Sequence, residues 1–158
     1  HEVGGIAGQS RSGDGIRYCY NSGQVVISHY NIQGYAWGIV GFNYTMVQDC
    51  YNTGTVSGKG FMSTTGGIAG VCHSSGDMEN CYNAGTIYGS VPGACAGYMW
   101  SKKVHDLYYV SNGPAYGQPA GDGLEAEQAL AVPANQACDQ ASFATLNFDT
   151  VGGLEAAP

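Results

Sequence analysis

Cys19-Tyr20-Asn21-Ser22-Gly23, Cys50-Tyr51-Asn52-Thr53-Gly54 and Cys81-Tyr82-Asn83-Ala84-Gly85 are one phrase written three times, each copy starting 31 residues after the last. Periods of roughly 20–50 residues mark solenoids, propellers or repeat arrays, whose units bury their apolar faces only against one another.

Outward from these copies runs a second phrase: Gly4-Gly5-Ile6-Ala7-Gly8, Trp37-Gly38-Ile39-Val40-Gly41, Gly66-Gly67-Ile68-Ala69-Gly70 and, more loosely, Gly93-Ala94-Cys95-Ala96-Gly97. Between the two phrases sits one apolar position (Ile16, Val47, Met78, Val104), and after the second comes another (Val25, Val56, Ile87). Each repeat thus carries three short apolar segments divided by turns, none with helical length or spacing. The pattern predicts an all-β chain: a right-handed parallel β-solenoid (β-helix) of about three to four coils, stacked ~4.8 Å apart. Leu107-Tyr108-Tyr109 replaces Cys-Tyr-Asn in a degenerate last copy, as terminal repeats do. Repeat length varies only in segments 26–36 and 57–65, which are expected to be surface loops.

From Gly113 the character changes, with Pro114, Pro119 and Pro133 punctuating an Ala-rich stretch. A short helix is expected over 125–131, another turn or two over 135–141, and apolar anchors at Phe143, Leu146 and Phe148. The expected division is 1–113 solenoid repeats, 114–151 a small C-terminal cap with short helical turns, and 152–158 tail or linker. Such a cap would cover an unpaired strand edge. The amino-terminal edge opens inside a repeat and is a candidate for end-to-end self-association, unless another coil or something else covers it. Beginning His1-Glu2-Val3, with neither initiator Met nor signal peptide, the chain reads as part of a longer product.

A chain of 158 residues has room for one domain and one core. Only 11% of residues are charged, and the net charge is −7 with five Lys and Arg. No basic footprint for nucleic acid is present, and anionic membrane surfaces are disfavoured. No stretch approaches the roughly 18–20 apolar residues of a membrane span, so no direct insertion is expected. The abundance of Gly, 26 copies, suits short strands joined by tight turns. Cys19, Cys50 and Cys81 hold equivalent positions and read as an apolar core ladder of free thiols. One disulfide among the irregularly placed Cys72, Cys95 and Cys138 stays open. In an exported protein, retained thiols suit an oxygen-poor habitat.

The Asn21, Asn52 and Asn83 column is expected to hydrogen-bond rung to rung inside the coil. Tyr20, Tyr51, Tyr82 and Tyr108 alternate with Cys and Asn, so their rings should point outward, stacked on one another or offered to a partner. Trp37 and Trp100, with Tyr30, Tyr35, Tyr44 and Tyr98 nearby, form the other candidate contact surface for glycan or protein. Asp49, Asn80 and Asp106 share a line with Tyr18. The two carboxylates would stand roughly 9–10 Å apart, at the upper limit for an inverting glycosidase, but turn formation is the ordinary use of such residues. His29, His73 and His105 are not equivalent, and Cys72-His73 matches no zinc spacing. No metal, cofactor or catalytic residue is expected. Thr53, Thr55 and Thr86 are too few for an ice-binding array.

Together the two phrases resemble the GLUG motif, a repeat of bacterial surface and secreted proteins that includes the region beside the catalytic part of some immunoglobulin A-cleaving metallopeptidases. The resemblance covers roughly residues 3–113. Asp139-Gln140-Ala141-Ser142-Phe143 with Leu146-Asn147-Phe148-Asp149 is similar to the segment closing such repeats in anaerobic gut Firmicutes, although the Trp expected soon after Asp149 is missing. The resemblance implies a module without activity of its own, and no His-Glu-x-x-His is present. The expected function is therefore a non-catalytic module of an exported bacterial protein, secreted or on the cell surface, acting as rigid spacer or adhesion surface for host protein or glycan. The alternative is an accessory substrate-docking domain of a secreted peptidase or glycoside-cleaving enzyme.

Overall fold

The computed structural model describes residues 2–28, 35–59, 63–101, 103–111, 120–122, 129–136 and 140–142. The first coil holds β1 (Glu2–Gly4), β2 (Ala7–Ser10), β3 (Ile16–Arg17), β4 (Tyr20–Asn21) and β5 (Val25–Ile27). The second repeats them as β6 (Tyr35–Trp37), β7 (Val40–Asn43), β8 (Met46–Gln48), β9 (Tyr51–Asn52) and β10 (Val56–Gly58). The third has β11 (Thr64–Gly66), β12 (Ala69–Cys72), β13 (Asp77–Asn83) and β14 (Ile87–Tyr88). The fourth has β15 (Val91–Gly93), β16 (Ala96–Met99) and β17 (Val104–Ser111), and β18 (Ala120–Asp122) and β19 (Ala129–Pro133) follow.

Like strands pair in parallel from coil to coil, forming a right-handed β-solenoid. Its wall has four faces: β1-β6-β11-β15, then β2-β7-β12-β16-β18, then the β3/β4 to β19 stack, then β5-β10-β14. Three strands per coil were expected. The extra face arises because the Gly phrase is a corner: β1 ends at Gly4, the chain bends at Gly5 and Ile6, and β2 starts at Ala7. The register matches the expected equivalences, with Ile16 beside Val47, Val47 beside Met78, and Met78 beside Val104.

The two phrases are parts of one device. A Cβ at Gly67 would collide with the Ala94 carbonyl of the next coil and with the Asn83 side chain across the coil, and Gly38 stands likewise against Gly67 and Asn52. Only glycine lets the corner approach the Asn column and the neighbouring rung this closely. Ile39 and Ile68 fill the corner interior, 0% exposed, each side chain contributing roughly 1.5–3 kcal/mol. Ile6, their counterpart on the first coil, is 46% exposed, because a rung packs against it from one side only.

Two expectations are corrected. Residues 129–131 form strand, not helix, because β17 offers an edge of unpaired N–H and C=O groups that a fifth rung satisfies. Solenoid pairing accordingly runs past 113, through β18 on β16 and β19 on β17. The short 3₁₀ turns Ala134–Gln136 and Gln140–Ser142 fall where turns were expected. The anchors Phe143, Leu146 and Phe148, Cys138, Tyr30, His29, the tail 152–158, and the centres of both expected loops lie outside the described residues. At the margins of those loops, Ala36, Ser63, Thr64 and Thr65 are buried parts of the wall.

Candidate functional site

The Asn column forms as expected. Asn21 Nδ2 donates to Asn52 Oδ1 at 2.8 Å, and Asn52 Nδ2 to Asn83 Oδ1 at 2.8 Å. Each amide also donates to the carbonyl of the glycine two residues on, at 3.0, 3.0 and 3.2 Å. Buried turn backbone is thereby satisfied from within the coil.

Cys19, Cys50 and Cys81 stack beside this column, each thiol donating to the carbonyl two residues before it, at 3.1, 3.2 and 3.2 Å. Burial pushes Cys81 and Cys19 up, whereas a hydrogen bond from the Cys81 thiol outweighs burial at Cys50 and holds it down. Cys72 and Cys95 are also free thiols, each pushed up to about 12 by burial. These five cysteines are packing elements without a disulfide among them.

The outward Tyr column is exposed only at its start. Tyr20, 57% exposed, stacks on Tyr51 with centroids 5.1 Å apart and planes 6° from parallel. Tyr82 and Tyr108 (1% exposed) are instead buried with Val110 and Val132 in a second apolar cluster. They are not a contact surface, because apolar side chains of the last rungs gather around them on the outside of the third face.

Trp37 also departs from the expected contact surface: its ring is fully buried. It occupies the room left by two glycines, since a Cβ at Gly70 or Gly41 would fall within its contact distance, and Tyr35 stacks on it at 5.6 Å. Its Nε1 finds no hydrogen-bond partner among the described residues, a cost of about 1–3 kcal/mol. Burying an indole of roughly 150–250 Å² returns about 4–6 kcal/mol, so burial wins. Trp100, by contrast, is 54% exposed.

Tyr18, Asp49, Asn80 and Asp106 form a column with φ of 56, 54, 53 and 54°. Asn80 Nδ2 donates to Asp49 Oδ1, and Asp106 Oδ2 pairs with His105 Nδ1 at 3.0 Å. The shared left-handed backbone bends the chain at these positions, within β13 at Asn80 and within β17 at Asp106, Asn and Asp being the side chains that tolerate it best. Among the described residues no three of His, Cys, Asp or Glu converge as a metal site would require.

Trp100 and Tyr44, both in the aromatic group expected from the sequence, belong to a column that the sequence reading did not assemble. Ser10, Cys72 and Met99 lie in register with Asn43 and its column, so the residues that follow them, Arg11, Tyr44, His73 and Trp100, form a column at the corner after the second face. The contacts run along it: the Arg11 guanidinium lies 5.4 Å from the Tyr44 ring, Tyr44 and His73 are 4.6 Å apart, and His73 and Trp100 are 6.0 Å apart. Beside Tyr44 stands Phe42, its ring 6.2 Å away and 19° from parallel. The signal was available: each column member is three residues after the last glycine of its phrase. It was hidden because the links to the next phrase differ in length, which dissolves the alignment when repeats are counted from Cys-Tyr-Asn.

No family model, curated protein or solved structure matches this chain.

Proposed function

We propose that the chain is a non-catalytic repeat module of an exported bacterial protein, of the GLUG-motif kind, that presents an adhesive surface to a glycan or host protein. The observation that carries this reading is the Arg11–Tyr44–His73–Trp100 column, a surface with hydrogen-bonding edges and an exposed indole on a wall locked by its Asn ladder. Asp49 and Asp106 share the left-handed bend of their column and bond Asn80 and His105, which supports a structural use for both carboxylates.

Arrays of glycans and host proteins probed with the intact chain test the proposal, followed by chromatography of any bound glycan for shortening. Binding without turnover supports it. A blank on both arrays, or turnover of the bound glycan, overturns it.

A further inference from the structure

We propose that the corner column binds an uncharged oligosaccharide chain laid along the solenoid axis, with one sugar ring stacked on Trp100 and its neighbours hydrogen-bonded to His73, Tyr44 and Arg11. The inference rests on the adhesive reading above and names the ligand class and the residues.

Ring orientation supports it first. The Tyr44 ring is engaged by the Arg11 guanidinium at 5.4 Å, by His73 at 4.6 Å and by Phe42 at 6.2 Å, so its hydroxyl and not its ring face is the group assigned to the ligand. The Trp100 plane is turned 72° from that of His73, and its side chain is 54% exposed. The column therefore runs from a cation, through two polar ring edges, to one indole. That order suits a polyhydroxyl chain, whose sugar rings have a flat C–H face and a hydroxyl rim. From Tyr44 to Trp100 is two coil steps, roughly 9–10 Å, about the span of a disaccharide.

The imidazole is set up as a donor. The backbone N–H of Ser75, which can only donate, points to His73 Nδ1 at 3.3 Å and makes that nitrogen an acceptor. In the neutral ring the proton then sits on Nε2. Arg11 Nε is held by Gln9 Oε1 at 2.6 Å, which orients the guanidinium over Tyr44. Donors thus come from Arg11 and His73, and the Tyr44 hydroxyl both donates and accepts.

Charge selects among glycans. A net charge of −7 repels a polyuronate or sulfated chain, and one arginine in the column does not reverse that field. A protein partner is also the poorer fit. Protein hot spots cluster several apolar anchors in a desolvated centre, whereas Trp100 is the one exposed large apolar side chain of this column among the described residues.

The two tryptophans provide the test. Trp37 is buried and Trp100 exposed, so acrylamide quenching of the intact chain reports Trp100, with Trp37 as internal reference. Neutral hexasaccharides (β-1,4-glucan, β-1,3-glucan and β-1,4-mannan) and oligogalacturonate are titrated in parallel. At least one neutral chain is expected to protect Trp100 from quencher. By calorimetry Trp100→Ala should lose about tenfold or more in affinity. His73→Phe, which keeps the ring but removes the donor, should lose several-fold, and Arg11→Gln likewise. Circular dichroism should leave all three variants folded, since each site is on the surface. Protection by no neutral chain at millimolar concentration overturns the proposal, as does preference for oligogalacturonate. Unchanged affinity in Trp100→Ala, with array binding intact, removes this site while leaving the adhesive reading in place. Array binding to a protein alone overturns the ligand class.

Discussion

Replacing Asn52 by Ala tests whether the amide column acts as a ladder or as separate turn caps. The side chain is wholly buried and takes part in three hydrogen bonds: from Asn21 at 2.8 Å, to Asn83 at 2.8 Å, and to the Gly54 carbonyl at 3.0 Å. At about 1 kcal/mol net for each bond, the loss is about 3 kcal/mol. Asn21→Ala is the matched control. It removes one rung-to-rung bond, to Asn52, and the turn bonds with Gly23 at 3.0 and 3.2 Å, but at the half-exposed end of the column, where water replaces them, so about 1 kcal/mol is expected. Urea unfolding followed by both circular dichroism and tyrosine fluorescence provides the measurement. With a slope of roughly 1–3 kcal/mol per molar urea, Asn52→Ala should lower the midpoint by about 1–3 M and Asn21→Ala by about a third of that. Coincident transitions from the two probes are needed for the comparison, since repeat arrays can unfold in parts. Equal midpoint shifts in the two variants would refute the ladder.

Tyr18 holds φ 56°, a backbone its ring does not favour, so Tyr18→Asn should stabilise by about 1 kcal/mol and raise Tm by about 2–4 °C. An unchanged or lower Tm in calorimetry counts against that strain. Gly67→Ala would force a Cβ into the Ala94 carbonyl and the Asn83 amide, and a loss of about 1–3 kcal/mol in denaturant is expected. Wild-type stability there would mean the corner is looser than described. Cys72 and Cys95, pushed up to about 12 by burial, keep their protons when folded but lose them near pH 9 when unfolded. The unfolded chain then binds fewer protons, so stability should be complete below about pH 9 and fall as pH rises toward about 12. Thermal melts from pH 8 to 11 check the sign, and native thiol titration should label the half-buried Cys19 before either.

The columns were legible because coil stacking turns sequence periodicity directly into spatial adjacency. Cys-Tyr-Asn at a constant interval of 31 places like residues side by side on successive rungs. What periodicity does not encode is how crowded the outside of each face becomes. Tyr20 and Tyr108 are equivalent in sequence, yet one is open and the other enclosed by Val110 and Val132. Trp37 looked like a surface ring because nothing local shows that Gly41 and Gly70, from two different coils, leave a slot for it. The strand at 129–131 was misread for the same kind of reason: local Ala content favours helix, while the edge of β17 is a long-range partner.

The equal interval between the three Cys-Tyr-Asn phrases has a consequence for how such a chain can change size. Duplicating residues 24–54 would insert 31 residues between Gly54 and Thr55, joining Gly54 to a second Gln24 as Gly23 is joined to the first. Every lateral contact would find its counterpart one level further on, and the object would grow by ~4.8 Å with its cross-section unchanged. Height is thus a quantised, heritable variable here, adjustable by unequal recombination without redesigning the interior.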